Sequence, residues 1–227
     1  MYQAIILTTI KERLTNIVRL IILLGIMVVQ TATYIIIGKD YGDLSDAMVF
    51  TLVMGAGIIG QDISRGVLQL LFVRPIKRAN YILSKWLAIS ILGFSASLFQ
   101  IAILVLKLYI EQEKISGAAL ANVVVGRLFI CLATAALLSL FSTLAPGMAD
   151  IVIYLIIIMI VQGLRVLGQT YGFNFMVQLS YPLEFFVNPT INIHTTLTTL
   201  MACLFNISLC LLIASVVINR REISYAD

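Results

Sequence analysis

Charge-free apolar runs, separated by short polar segments, occupy most of the chain. They cover 20–38, 47–61, 86–106, 128–149, 151–164 and a last stretch, 185–219. A helix that crosses the hydrocarbon of a bilayer takes about 20 residues, with a range of about 17–25. Each of the first five runs therefore reads as one crossing. The second is short unless it begins near Leu44, and the fifth reaches length by including Arg165, whose long side chain can snorkel to the headgroups. Pro182 and Glu184 stand just ahead of the last stretch, and Asn188, Pro189, Asn192 and His194 interrupt its start, so the pattern predicts its helix over 196–218. The aromatic, Pro-interrupted piece before it, 169–194, suits an extracellular re-entrant or interfacial segment, because irregular backbone at that depth must be covered by protein or water.

Two patterned segments fall outside the crossings. Tyr2, Ile5, Ile6, Ile10, Leu14 and Ile17 recur at helical spacing, with Gln3, Lys11, Glu12 and Thr15 around the rest of the turn. This predicts an amphipathic interface helix over 1–16. Lys11, Glu12 and Arg13, with no small-residue cleavage site after the first apolar run, argue against a cleaved signal peptide. The other segment is the loop between the second and third crossings.

Basic residues set the orientation. With six crossings, Lys11, Arg13, Arg19, Arg65, Arg74, Lys77, Arg78, Lys85, Arg220 and Arg221 share one side; Lys39, Lys107 and Lys114 lie on the other, beside Asp40, Asp43, Asp46, Glu111 and Glu113. Both termini are expected in the cytoplasm. Composition agrees with lipid as the solvent: of 227 residues 61% are hydrophobic and 11% charged. A water-soluble fold of this size cannot bury that much apolar sequence. The fold class is all-α, one polytopic domain of six transmembrane helices over 1–227.

Candidate chemistry is sparse. Cys131, Cys203 and Cys210 lie inside apolar runs and read as small core residues. His194 is the only histidine and has no neighbouring ligand residue, so no metal site is expected. No hydrolase, metalloprotease or phosphate-loop motif occurs, and the chain is not expected to be an enzyme. Polar residues inside the crossings (Gln30, Thr31, Tyr34, Gln100, Gln162 and Asn206) read as interhelical packing groups, worth about 0.6 kcal/mol each, or as pathway lining. Gln30, Tyr34, Gln162 and Asn206 are the lining candidates. Gly55, Gly57 and Gly60, with Ala133, Ala136 and Ser139, should allow close helix approach. Arg127 and Arg165, near the outer ends of the fourth and fifth crossings, are expected to snorkel. Asp150 is expected to cap the fifth.

The loop reads Asp62-Ile63-Ser64-Arg65-Gly66-Val67-Leu68-Gln69-Leu70-Leu71-Phe72-Val73-Arg74-Pro75-Ile76-Lys77-Arg78. Asp62 can cap a helix start, and Leu68, Leu71 and Phe72 make an apolar ridge. Pro75 forces the chain out of the helix, and Lys77 and Arg78 hold the exit at the membrane surface. Lys85 and Trp86 mark the start of the third crossing. Such a basic amphipathic helix suits a lipid surface as well as a docking partner.

This string resembles the signature loop of the ABC type-2 permeases, membrane subunits of ATP-binding-cassette exporters. The family shows an acidic residue, a Gly, a Leu-rich turn closing on Pro-Ile or Pro-Val, a basic residue and a Lys before the third span. Asp62, Gly66, Leu68 with Leu71, Pro75-Ile76, Arg78 and Lys85 occupy those positions. Asp replaces the commoner Glu, and Val67 the usual Thr. The six-span layout with an interface helix and an Arg220-Arg221-Glu222 ending matches as well. The resemblance implies that loop 62–80 carries a coupling helix seated on a separate ATPase chain. Its docking residues would be Asp62, Arg65, Gly66, Leu68, Gln69, Leu71, Phe72, Arg74 and Pro75. It further implies a permease of the cell inner (plasma) membrane, paired with a second copy or a related permease. ATP and magnesium would bind the partner ATPase, with no cofactor on this chain and no nucleic acid. The few charges in the spans suit an amphipathic substrate such as a drug, a small peptide or a lipid-linked molecule. The rival readings are a small secondary transporter or channel, which calls for midplane carboxylates or inverted halves, and a non-transporting assembly protein.

Overall fold

The structure, a computed structural model, describes residues 2–37, 45–64, 66, 77–112, 116–145, 147–172, 175 and 196–223. These residues build α1 (Tyr2–Thr15), α2 (Ile17–Ile37), α3 (Ser45–Gly55), α4 (Gly60–Ser64), α5 (Arg78–Ile110), α6 (Gly117–Leu144), α7 (Ala149–Tyr171) and α8 (Thr196–Ile223). Among the described residues there is no strand. Six stretches of the described residues are long and apolar enough to cross a membrane: α2, α3 together with α4, and α5 to α8. The chain is an all-α, multi-pass membrane protein.

Asn16 separates the first two helices. Its Oδ1 accepts a hydrogen bond from the Arg19 amide at 3.4 Å, so it caps α2 at the residue type most favoured there. The centre of the bundle is α6, which packs on α3, α5, α7 and α8. From Ala133 to Phe141 its side chains are buried on every side. The small residues Ala133, Ala136 and Ser139 belong to that stretch and permit close approach, as the sequence predicts. Against α6, α8 sets Cys203, Ile207, Cys210, Ala214 and Ile218, spaced three and four apart along one face. Cys131 is buried too, so all three thiols serve as small core groups. By contrast, α2 and α7 are peripheral and show apolar faces outward, with Val28, Ile36, Val152 and Met159 more than half exposed.

The helix limits differ from the charge-free runs in an instructive way. With 33 residues, α5 takes in Arg78, Lys85 and Lys107. At 1.5 Å per residue it is roughly 50 Å long, more than the hydrocarbon thickness of about 30 Å, so its charged ends project beyond that slab. Likewise α6 begins at Gly117 rather than 128 and ends at Leu144, which puts Arg127 well inside it. Gln169 to Tyr171 form the last turn of α7, closed by Gly172, and do not belong to a re-entrant piece. The rest of 169–194, apart from Gly172 and Phe175, lies outside the described residues. On α1, the most buried residues are Thr9 and Arg13, while Leu7 and Leu14 are exposed. The inner face of α1 packs on α5 and α2; it is partly polar, which apolar spacing alone does not foresee. Trp86, expected at the headgroups, is half-buried and donates its indole N–H to the Leu132 carbonyl at 2.9 Å.

Ala136 is fully buried on α6. Ala136→Leu is expected to overpack the core and destabilise by about 1–3 kcal/mol. Ile156→Leu on the exposed face of α7 should be neutral. Thermal unfolding in detergent, followed by the fluorescence of Trp86, distinguishes the two.

Candidate functional site

Three polar clusters stand inside or at the ends of this apolar bundle, and each satisfies groups that lipid could not. The first joins α3, α5 and α6. Asp46, in the first turn of α3, accepts a hydrogen bond from Gln100 Nε2 at 2.9 Å. Gln100 Oε1 accepts one from Arg127 Nη1 at 2.8 Å, and Ser97 Oγ lies 3.4 Å from the same nitrogen. An amide is the side chain that can do this, presenting its donor to the carboxylate and its acceptor to the guanidinium. Asp46 is 5% exposed, and Gln100 and Arg127 are fully buried. The chain Asp46–Gln100–Arg127 is therefore a buried, overall neutral relay. Arg127 does not snorkel: its charge is compensated from within the bundle, where an isolated ion would be far too costly.

The second cluster lies where the second span is interrupted. The α-helical ladder stops at Gly55 and resumes at Gly60, and the freed backbone groups find partners on four other helices. Arg13 Nη1 donates to the Ala56 carbonyl at 2.6 Å and Nη2 to the Gly57 carbonyl at 3.2 Å. Arg19 Nη2 also donates to the Ala56 carbonyl, at 3.2 Å. Asp150 Oδ2 accepts from the Gly57 amide at 2.8 Å. Ser142 Oγ accepts from the amides of Ile59 at 3.0 Å and Gly60 at 2.7 Å. Asp150 is not the N-cap of its own helix, a position held by Met148; from the first turn its Oδ1 accepts from the adjacent Ile151 amide at 2.9 Å, and its second oxygen reaches across the bundle. Gly60 touches the turn between α6 and α7 backbone to backbone: its carbonyl accepts from the Gly147 amide at 2.8 Å. A Cβ at Gly60 would fall 2.5 Å from the Gly147 oxygen and 2.7 Å from that of Ala145.

The third cluster closes the base of the loop. Asp62, on α4, accepts a hydrogen bond from the Tyr81 hydroxyl and pairs with Lys85 Nζ at 2.9 Å. Tyr81 and Lys85 stand on α5 and are buried. The exit of the second span and the start of the third are thus tied together. Asp62 does not cap a helix leading to Pro75, because it lies within α4. Gly66, at φ +68° with its amide bonded to the Ile63 carbonyl at 3.1 Å, ends that turn in the left-handed region glycine favours. Since α5 starts at Arg78, residues 78–80 belong to it and not to the loop. Arg65, Leu68, Gln69, Leu71, Phe72, Arg74 and Pro75 lie outside the described residues.

The pathway candidates are dispersed. Gln30 is half-buried on α2, and Tyr34, one turn along, is buried. Asn206 is buried on α8, while Gln162 on α7 is exposed and faces away from the bundle. These helices pack mainly on α3, α5 and α6 and do not gather the four residues around one centre. The residues that do converge were present in the sequence with other readings: Asp46 as a loop acid, Arg13 and Arg19 as orientation charges, Gln100 as a packing group. The available signal was that Asp46 and Arg127, opposite in sign, both border apolar runs at the same expected level. No family model matches the chain, and comparison with curated proteins and with solved structures likewise gives no match.

Removing one partner of a buried pair leaves an uncompensated charge. Arg127→Gln is expected to destabilise by about 3–5 kcal/mol. Adding Asp46→Asn should recover part of that loss, so the double variant is less destabilised than the sum of the singles. A double-mutant cycle from denaturant unfolding in detergent measures the coupling.

Proposed function

We propose that this chain is the permease subunit of an ATP-driven exporter of the ABC type-2 class. The observation that carries the reading is the tie between Asp62 of α4 and Tyr81 and Lys85 of α5. It fixes both ends of the loop whose sequence resembles the coupling segment, so a push on that loop is delivered to the second and third spans together. A slack loop would absorb the stroke. The ridge of Leu68, Leu71 and Phe72 supplies an apolar contact for an ATPase chain, with Arg65, Gln69 and Arg74 around it. ATP and magnesium belong to that partner.

In this reading the loop and both termini are cytoplasmic in the cell inner membrane, as the distribution of Lys and Arg supports. A second copy or a homologous permease completes the pathway. The outward position of Gln162 on α7 fits a pathway lined from more than one chain, with Gln30, Tyr34 and Asn206 as further lining. The apolar character of the spans favours an amphipathic substrate, such as a drug, a small peptide or a lipid-linked molecule.

A second reading, a small secondary transporter, gains one specific support in Asp46, a buried intramembrane carboxylate of the kind that usually marks function. Its compensation by Arg127 through Gln100 is equally what a structural relay requires, which leaves the exporter reading ahead.

The test is co-expression with ATP-binding-cassette proteins encoded nearby. Wild type is expected to retain an ATPase through detergent purification, and Leu71→Glu to lose it. Lys85→Gln should keep the ATPase bound yet lower ATP-driven transport in proteoliposomes about tenfold, the scale of a coupling of 1–3 kcal/mol. Failure of every ATPase to bind, or binding and transport undisturbed by Leu71→Glu, refutes the exporter. Uptake driven by a proton gradient without ATP, abolished in Asp46→Asn, establishes the second reading.

A further inference from the structure

We infer that the interruption of the second span at residues 56–59 is a mechanical joint, and that Arg13 and Asp150 are the positioning residues that set its angle from opposite sides. Local sequence does not force the interruption. There is no proline at 45–64, and glycines only weaken a helix, so an uninterrupted helix is sterically open to this segment. What holds it open is the set of partners brought from elsewhere. The Ala56 carbonyl, freed at the end of α3, receives the guanidinium groups of Arg13 and Arg19, and Arg13 also reaches the Gly57 carbonyl, which takes the Gln61 amide at 3.3 Å as well. Amides freed ahead of α4 meet the carboxylate of Asp150 and the hydroxyl of Ser142. The signs follow the dipoles of the two helix pieces, cation at the C-terminal end and anion at the N-terminal end.

The partners also lie at the ends of their own helices: Arg13 in the last turn of α1, Arg19 in the first turn of α2, Ser142 in the last turn of α6, Asp150 in the first turn of α7. Side chains at helix ends follow the tilt of those helices, so four elements are read out at one point. Interrupted membrane helices often present such ends to an ion or a substrate. Here both ends already carry charges of the chain itself, which makes the interruption a joint. Beyond it α4 is only five residues long, and it bears Asp62, the acid that grips α5. Any swing of α4 about residues 56–59 is therefore opposed by Arg13 and Asp150 and passed to α5 by Asp62.

This holds whether or not an ATPase docks on the loop, and its test needs neither partner nor transport. The full chain in lipid nanodiscs, with native cysteines, is followed by hydrogen exchange at the amides of 56–64 and, as reference, of 128–138 in α6. Arg13→Gln and Asp150→Asn should each speed exchange at 56–64 about tenfold and leave the reference unchanged. Arg13→Lys, which keeps the charge but not the two-carbonyl fork, should fall between. A second measurement uses spin labels at Ser64 and Val152, both exposed, after replacement of Cys131, Cys203 and Cys210 by Ala. The distance distribution should shift or broaden in Arg13→Gln and Asp150→Asn, whereas a control pair at Leu98 and Val125 stays fixed. Unchanged exchange at 56–64 in both variants overturns the joint. So does equal acceleration at 128–138, which would make the two residues general supports of the fold.

Discussion

Lipid offers no hydrogen bonds, so every backbone N–H and C=O within the membrane must find its partner inside the protein. Most of this chain meets that demand with unbroken helices. The second span does not: it drops its ladder over 56–59 and resumes as a five-residue turn. Much of the arrangement at that end of the bundle answers this one irregularity. Arg13 brings α1 against the bundle, Arg19 fixes the start of α2, and Ser142, Gly147 and Asp150 bring the α6–α7 turn against α4. The contact of Gly60 with Gly147 leaves no space for a side chain, so the α6–α7 turn and α4 are held in one register.

Further along the second span a different solution operates. Asp46 is linked through Gln100 to Arg127, so α3, α5 and α6 share one neutral polar chain among apolar side chains. Asp46 and Gly57 are roughly 16 Å apart along a helix axis at 1.5 Å per residue. Between them α3 sets Phe50, Thr51 and Met54 into the interior. It is thus a strut anchored by polar contacts at both ends, with apolar packing between. The peripheral helices α2 and α7 turn apolar faces outward.

The helices were legible because hydrophobic runs of crossing length have few other solutions. The polar clusters were not, for a physical reason. A charge in a linear sequence reads as a boundary, on the premise that charges seek water. That premise holds for Arg220 but fails for Arg127 and Arg13, whose partners lie 27 and 43 residues away in the chain. Pairing over such separations is decided by helix packing, which no local pattern encodes. The same premise shortened α5 and α6, whose ends carry charges that are either paired, like Lys85, or beyond the hydrocarbon. Asp62 shows the reverse case. Its position before a Leu-rich turn fits a cap, yet the nearest basic and phenolic groups, Lys85 and Tyr81, win its carboxylate because they meet it across the hairpin.

The two contacts made by the short helix α4 act in series, and this bears on what the protein can transmit. Upstream, α4 hangs on a joint held by hydrogen bonds to backbone groups, contacts that can lengthen without moving a side chain out of the core. Downstream, Asp62 is bound to α5 by a part-buried ion pair and a hydroxyl. Both sets are charge-assisted, but those upstream bear on a turn between two helix pieces, whereas Asp62 joins residues that stand inside two helices, α4 and α5. A displacement that begins in the loop after Gly66 therefore carries α4 and the start of α5 together and is taken up at 56–59. In this arrangement α5 is the member that moves with the loop, and α3, held by Asp46 at one end and by Arg13 and Arg19 at the other, is the member it moves against.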